Sequence, residues 1–211
     1  MKALRGMTFP TTRTVLIGVA AIVAVGLLGA GGWYWHATTQ QRAMATYAEA
    51  MTRAQSALGS EATADARAAA IRELEAALTQ YPSGRGAAQV AYQLGNLRYQ
   101  AQQYAPARGA FELAVAQGAT RTLRALSQGG VAYTWEAERN YAKAVDAFKV
   151  ALEGLGPKDF YYEELLLGLG RAQELGGQKA DAIATYRRAI GELTQSRRLE
   201  EIRARLAALG A

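Results

Sequence analysis

Few side chains in this 211-residue chain could carry out acid–base or metal chemistry. There is no cysteine, so thiolate nucleophiles and thiolate metal sites cannot form, and the single histidine, His36, has no second histidine with which to bind a metal. Carboxylates are adjacent at Glu163–Glu164 and Glu200–Glu201, but neighbouring residues on a helix point about 100° apart, which indicates solvated helix faces. Phosphate-binding and dinucleotide-binding glycine motifs are also absent. We therefore expect a protein that is not an enzyme and uses neither a metal nor another cofactor.

The basic net charge of +6 does not indicate nucleic-acid binding once the charges are located. Residues 1–41 contain Lys2, Arg5 and Arg13 and no acidic residue, so half of the net charge belongs to this short segment. The remaining bases are dispersed among acids, and the longest basic runs are pairs such as Arg187–Arg188. A nucleic-acid partner is therefore not expected.

The N-terminal segment predicts a membrane-spanning helix. Val15 to Ala37 is apolar and uncharged, and about 20 such residues in a helix cross a hydrocarbon core of about 30 Å. An aromatic group of the kind that prefers the headgroup region follows at Trp33, Tyr34 and Trp35, and His36 beside it is interpreted as an interfacial polar side chain. The basic residues before the span predict a cytoplasmic N-terminus, with the rest of the chain in the periplasm of a bacterial cell.

An alternative interpretation of the same segment is a cleaved signal peptide. A basic start, an apolar core and small residues such as Gly29-Ala30-Gly31 are typical of one, and cleavage would remove about residues 1–31. The length of the apolar run and its aromatic end favour the retained anchor.

An internal repeat is the most informative feature of the remaining chain. The pattern Ala-x-x-x-(large)-x-x-Ala occurs four times, at 37- or 38-residue intervals, with its first alanine at Ala70, Ala107, Ala144 and Ala182. A helix-favouring segment precedes each copy, so each repeat predicts two antiparallel helices. Small residues twelve positions before the last three alanines would let the paired helices approach closely: Gly95, Ala132 and Gly170. A single hairpin cannot bury such a face, whereas stacked neighbours can.

The repeat resembles the tetratricopeptide repeat (TPR), whose pattern has an early Leu-Gly, a central small residue, an aromatic residue four positions later and a closing proline. Leu-Gly occurs at 94–95 and 169–170, and Pro82 and Pro157 stand at or beside the closing position. Two departures are Leu58 in place of a small residue and a period above the 34 of that family. The resemblance implies an all-α fold with a TPR-like solenoid.

The predicted organisation has a membrane part, a repeat part and a cap. The cap is a C-terminal amphipathic helix, with Leu199, Ile202, Leu206 and Leu209 on one face, that covers the last repeat. The predicted ranges are a cytoplasmic segment 1–14, a transmembrane helix 15–37, repeats at about 43–82, 86–119, 123–157 and 161–195, and the capping helix 197–209.

The TPR resemblance also implies a binding groove lined by the first helix of each pair. Counting around each Leu-Gly position selects these candidate groove residues: Tyr92, Asn96, Tyr99, Tyr133, Glu136, Leu167, Arg171 and Glu174. Tyrosine-rich grooves suit an extended peptide or a helix of another protein, although some of these tyrosines could instead pack between repeats. The carboxylate clamp of chaperone-binding relatives is not matched, because Tyr92 stands where that clamp needs a lysine.

The combination of a basic N-terminus, one span and an exported TPR domain resembles the ancillary Sec-translocon subunit family of bacteria. This resemblance implies a single-pass inner-membrane protein whose partners are translocon subunits or chaperones and which assists envelope protein export, folding or assembly. A second hypothesis is a structural or assembly subunit of one respiratory, photosynthetic or envelope complex. Small residues along the span would permit helix packing in such a complex: Gly18, Ala21, Ala24, Gly26, Gly29 and Gly32.

Overall fold

The structure is a computed structural model that describes residues 12–59 and 61–211, with side chains from residue 22 onward. Nine α-helices lie in these ranges, and they confirm the predicted all-α class. Their bounds are α1 Thr12–Ala57, α2 Ala64–Gln80, α3 Ala87–Gln100, α4 Tyr104–Ala116, α5 Arg121–Ala137, α6 Tyr141–Leu152, α7 Tyr162–Leu175, α8 Lys179–Glu192 and α9 Leu199–Ala208.

The chain divides into two compact units, residues 1–42 and 43–211. In the first unit, the predicted cytoplasmic segment 1–14 and residues 15–21 of the predicted span lie outside the described side chains. From Ile22 to Trp35 the large apolar side chains are 54–77% exposed. Within the part of the chain that the structure describes, no helix combines the length and apolar character needed to cross a membrane.

The second unit is a series of helix pairs that pack in chain order, in the manner of a TPR solenoid. The C-terminal part of α1 packs with α2 in one buried cluster, and α3/α4, α5/α6 and α7/α8 form the next three pairs. The first helices of successive pairs also touch, α3 against α5 and α5 against α7, and α9 lies on α8. This arrangement brings the candidate groove residues of α3, α5 and α7 onto neighbouring helices.

Local sequence signals begin several of these helices. The Thr63 hydroxyl accepts a hydrogen bond from the Ala66 amide, and the Thr120 hydroxyl accepts one from the Leu123 amide. The Asn140 carbonyl oxygen of the side chain accepts from the Lys143 amide. Each such cap satisfies an amide that the first turn of a helix leaves unpaired.

The turns inside the last three pairs share one geometry. A residue with positive φ follows the first helix at Gln102, Arg139 and Gly177, and the next amide bonds back to a carbonyl five residues earlier. This closure is the Schellman type, which reverses the chain in few residues. Because the turn has the same length in these three pairs, the paired helices keep the same register from one repeat to the next.

Large side chains of the second helices fill the space between first helices. The Phe111 ring lies between Gly95 of its own pair and Gly130 of the next pair, where an added Cβ would approach the ring to 2.6 and 2.7 Å. The Tyr186 ring lies against Gly170 in the same way. Of the three small residues predicted to permit close approach, Gly95 and Gly170 do so, because an aromatic ring occupies the place that a side chain would take.

Candidate binding groove

Four of the candidate groove residues line one open pocket between α3 and α5. Its volume is about 160 Å³, and we call it the tyrosine pocket. The candidates in it are Tyr92, Asn96, Tyr99 and Tyr133, and the other lining residues are Phe111, Leu126, Gly130 and Tyr161. Its lining therefore combines aromatic rings, phenol hydroxyls and one amide, without a charged side chain.

Three tyrosine rings of the pocket pack against aromatic rings of the second helices. Phe111 is 2% exposed, and the Tyr92 ring is tilted against it with the ring centroids 5.8 Å apart. Tyr99 packs edge-on against Tyr104 at 5.5 Å, and Tyr133 packs edge-on against Phe148 at 5.0 Å. Edge and tilted contacts of this kind orient rings while each hydroxyl remains at the end of its ring. Aromatic rings of the second helices α4 and α6 thus pack against the pocket tyrosines.

Beyond the pocket, the groove positions of α5 and α7 are occupied by ion pairs. Glu136 accepts two hydrogen bonds from Arg171, at 2.6 and 3.1 Å. Glu164 accepts from Arg198 at 2.8 Å, and Glu174 accepts from Arg205 at 3.2 Å. We call these three pairs the ion-pair ladder; it joins α5 to α7 and α7 to the residues that begin and form α9.

Tyr133 connects the two regions. Its ring lines the tyrosine pocket, its hydroxyl donates to Glu164 Oε1 at 3.0 Å, and the Arg171 guanidinium lies 5.8 Å from its ring centroid. A cation at this distance from an aromatic face is attracted by the ring quadrupole. Contacts with the ion-pair ladder therefore fix the side of the pocket that Tyr133 forms.

Three phenols of the pocket, those of Tyr99, Tyr133 and Tyr161, stay protonated at neutral pH. Burial, mainly, raises the pKa of Tyr99 and that of Tyr133 above the usual value near 10, and it raises the pKa of Tyr161 to about 12. On the ladder, the Glu136 carboxylate raises the pKa of Arg171 by hydrogen bonding to its guanidinium. The pocket consequently offers neutral hydroxyl donors, while the ladder consists of charges that already have partners.

Two candidate residues in the fourth repeat already have contacts within the chain. Leu167 is 4% exposed and belongs to the buried cluster that includes Ile202 of α9, so its predicted groove position is corrected to a packing position. Glu174 accepts a hydrogen bond from the Tyr186 hydroxyl at 2.9 Å in addition to its pairing with Arg205. The capping helix is the physical reason, because it covers the face of α7 that a further repeat would otherwise cover.

Part of the pocket lining lies outside the positions that the repeat pattern predicts. Tyr161 precedes the first residue of α7 and therefore lies outside the helix positions that the repeat pattern selects. Leu126 and Gly130 lie on α5, which has no Leu-Gly pair. The repeat spacing itself contained the signal, because Gly130 follows Phe111 by 19 residues as Gly168 follows Phe148 by 20.

A larger pocket of about 350 Å³ lies on another surface, between α4, α5 and α6. It is lined by Glu112, Val115, Gln128, Val131, Ala147 and Val150, none of which is a candidate groove residue. Its apolar walls have few polar groups that could orient a ligand. The tyrosine pocket, where hydroxyls and an amide converge, is the better candidate for specific recognition.

No protein-family model matches the chain, and no curated protein matches it. Among solved structures, the chain is similar to a TPR repeats protein from Bacteroides fragilis, with 16% sequence identity and a TM-score of 0.45. The match covers 68% of this chain and 61% of that protein. The TPR-like arrangement described above rests on the helix pairing of this chain itself.

Proposed function

We propose that this chain is a membrane-anchored periplasmic scaffold whose TPR-like domain binds other proteins during export, folding or assembly of envelope proteins. The observation that carries the proposal is the tyrosine pocket on the first helices of a helix-pair stack. Stacked helix pairs present such surfaces to protein partners, and rigid tyrosine rings contribute contact area at low entropic cost.

The anchor in this proposal is the apolar segment 15–37, with an inner-membrane location and a cytoplasmic N-terminus. Its support is the apolar sequence together with the exposure of every large apolar side chain described between Ile22 and Leu28. A run of exposed apolar side chains of this size is unfavourable in water and favours lipid or a partner helix as its surroundings. The aromatic residues Trp33, Tyr34 and Trp35 are exposed as well, as a membrane-interface position requires.

The absence of native cysteine makes the orientation directly testable. We expect Ala211→Cys in intact spheroplasts to react with a membrane-impermeant maleimide, and Ala3→Cys to react only after the membrane is permeabilised. Protection of Ala211→Cys would overturn the proposed orientation. Loss of the label at position 3 from the mature chain, checked by mass, would favour the cleaved signal peptide instead.

The binding role is tested by a photoreactive phenylalanine analogue at position 99 in intact membranes. We expect crosslinks to translocon or chaperone components, which mass spectrometry identifies, and none from the same analogue at position 160. Phe160 is the matched control because it is an 88%-exposed aromatic residue outside the tyrosine pocket. A chain that gives no protein adduct at position 99 would not be a scaffold that works through this groove.

A second candidate function is a structural or assembly subunit that is held in one membrane complex by α1. It is favoured by Gly26, Gly29 and Gly32, at each of which an added Cβ would meet no atom within 4 Å. Small residues with open space beside them permit close approach of another helix. Replacement of all three by leucine should then abolish co-migration with the complex in a native gel, whereas the groove scaffold would be unaffected.

A further inference from the structure

The tyrosine pocket discriminates against charged ligands. Charged side chains are absent from its lining, and the ladder charges beside it already have partners. Glu164 accepts from Tyr133 and Arg198, and Glu136 and Arg171 form two hydrogen bonds with each other. A lysine or glutamate entering the pocket would lose its hydration without gaining a counter-ion. The occupant that the lining favours is therefore uncharged.

The pocket also limits the length and shape of its occupant. A volume of about 160 Å³ is room for one or two residues, and toward α7 the uncharged lining ends at the Glu136–Arg171 pair. An amphipathic helix needs an apolar groove that continues over several of its turns. A short extended segment fits this pocket, whereas a helix does not.

We infer that the partner segment bound by the proposed scaffold is uncharged and proline-rich, in the polyproline II conformation. Proline has no backbone N–H, so its burial leaves no donor that the pocket would have to satisfy, and its carbonyl remains an acceptor. The pocket supplies donors to such carbonyls, since Tyr99 and Tyr161 are protonated and Asn96 carries a side-chain amide, whereas the Tyr133 hydroxyl already donates to Glu164.

Two physical factors favour this conformation over other uncharged segments. Proline rings pack on the flat faces of aromatic side chains, and five of the eight residues that line the tyrosine pocket are aromatic. A polyproline II segment is already extended before it binds, so it loses little conformational entropy. A glycine- and serine-rich segment of equal length lacks both advantages, and it serves as the reference ligand below.

The inference rests on the proposed function and is tested with the full chain in detergent micelles. The probe is a fluorescent, capped ten-residue peptide of proline and alanine, and binding is measured by fluorescence anisotropy. We expect it to bind at least about tenfold more tightly than a capped Gly-Ser peptide of the same length, a difference of about 1.4 kcal/mol. A third peptide, in which two alanines become glutamate, should bind no better than the Gly-Ser peptide.

Variants connect the binding to the tyrosine pocket. Tyr99→Ala should lower the affinity for the proline peptide about tenfold, in the range found for a central aromatic contact. Phe160→Ala should leave this affinity unchanged. Tyr99→Phe keeps the ring and removes the hydroxyl donor, so it should fall between the wild type and Tyr99→Ala. Circular dichroism of each variant shows whether a loss of binding comes from unfolding.

The possible results separate the proline inference from the proposed scaffold function. Equal affinity for the proline and Gly-Ser peptides, tighter binding of the glutamate peptide, or indifference to Tyr99→Ala would overturn the proline inference. If crosslinks from position 99 in membranes map to proline-poor segments of identified proteins, the proline inference fails and the scaffold stands. If position 99 gives no protein crosslink at all, the scaffold itself fails.

Discussion

The tyrosine pocket and the ion-pair ladder occupy equivalent positions on successive first helices, yet only one of them is open. At the ladder, each glutamate pairs with an arginine farther along the chain. Glu136 pairs with Arg171 of α7. The other two pairs are Glu164 with Arg198, which directly precedes α9, and Glu174 with Arg205 of α9. Between α3 and α5 the equivalent residues are tyrosines and Asn96, which leave a cavity. The same scaffold therefore closes its groove where successive helices supply opposite charges and leaves it open where they supply neutral rings.

The difference indicates two roles for one surface. Paired arginines and glutamates that are partly buried resist separation, because removing either partner leaves a charge with reduced hydration. The neutral rings of the pocket pack on rings of α4 and α6, so a ligand that enters the pocket need not displace these contacts. The ladder links α7 to α9, whereas the pocket is open, and we therefore expect ligand binding at the pocket.

The largest expected effect tests whether the open pocket has a packed floor. Phe111→Ala should lower the free energy of unfolding by ~3–5 kcal/mol, because the ring is buried between two glycines that cannot fill the space. Urea unfolding of the full chain in micelles, followed by circular dichroism, measures the change. Phe160→Ala is the control and should stay within about 0.5 kcal/mol of the wild type. A cost below about 1 kcal/mol for Phe111→Ala would mean that the floor is loosely packed.

A smaller effect concerns the strength of the ladder. A double-mutant cycle with Glu136→Ala and Arg171→Ala should give a coupling energy of about 1–2 kcal/mol, since both side chains are partly buried and share two hydrogen bonds. The exposed pair Glu200–Arg203 on α9 provides the comparison and should give about 0.2–0.5 kcal/mol. Equal coupling in both cycles would show that the ladder is no more than a set of surface pairs.

Alkaline and acidic pH should act on different groups. Tyrosines with raised pKa contribute stability that is present below their unfolded pKa near 10 and is lost as the pH rises toward about 12. Hydrogen bonds lower the pKa of Glu201, which therefore contributes stability above pH 4.5 that is lost at lower pH. Absorbance at 295 nm between pH 9 and 11 should be larger for the urea-unfolded chain than for the folded chain. The tyrosines responsible are Tyr47, Tyr99, Tyr133, Tyr161, Tyr162 and Tyr186.

If the two absorbance curves coincide, the pocket phenols are solvated like free tyrosine. The contrast between the two regions would then have to rest on packing alone, since burial is what raises the pKa of Tyr99 and Tyr133.

The smallest effect separates binding from stability within the groove. Asn96→Ala should change the free energy of unfolding by less than about 0.5 kcal/mol, because Asn96 is half-buried and its side chain donates to Gln93 on its own helix. The same variant should reduce peptide binding measurably, since it removes a donor from the pocket. Urea unfolding and anisotropy are compared on one preparation. A large loss of stability with unchanged binding would reverse the assignment of this residue.

The repeat period is what made the fold predictable. Four alanine patterns at 37- or 38-residue spacing predicted helix pairs, because only a stack of such pairs buries every large residue of the pattern. The same register placed Tyr92, Asn96, Tyr99 and Tyr133 on first helices. It could not show that Leu167 lies beneath α9, because the register treats the last repeat like the others while the capping helix covers it.

The sequence by itself determined the helix pairs, their order and the residue types on the first helices, since these follow from periodicity and from the composition of each turn. Only the tertiary structure decided which groove side chains meet. Glu136 and Arg171 are 35 residues apart and pair because α5 touches α7, and Tyr161 completes the pocket although it precedes its helix. Such contacts depend on distances of a few tenths of a nanometre between separate repeats, and these distances are set by how closely rings such as Phe111 let the helices approach.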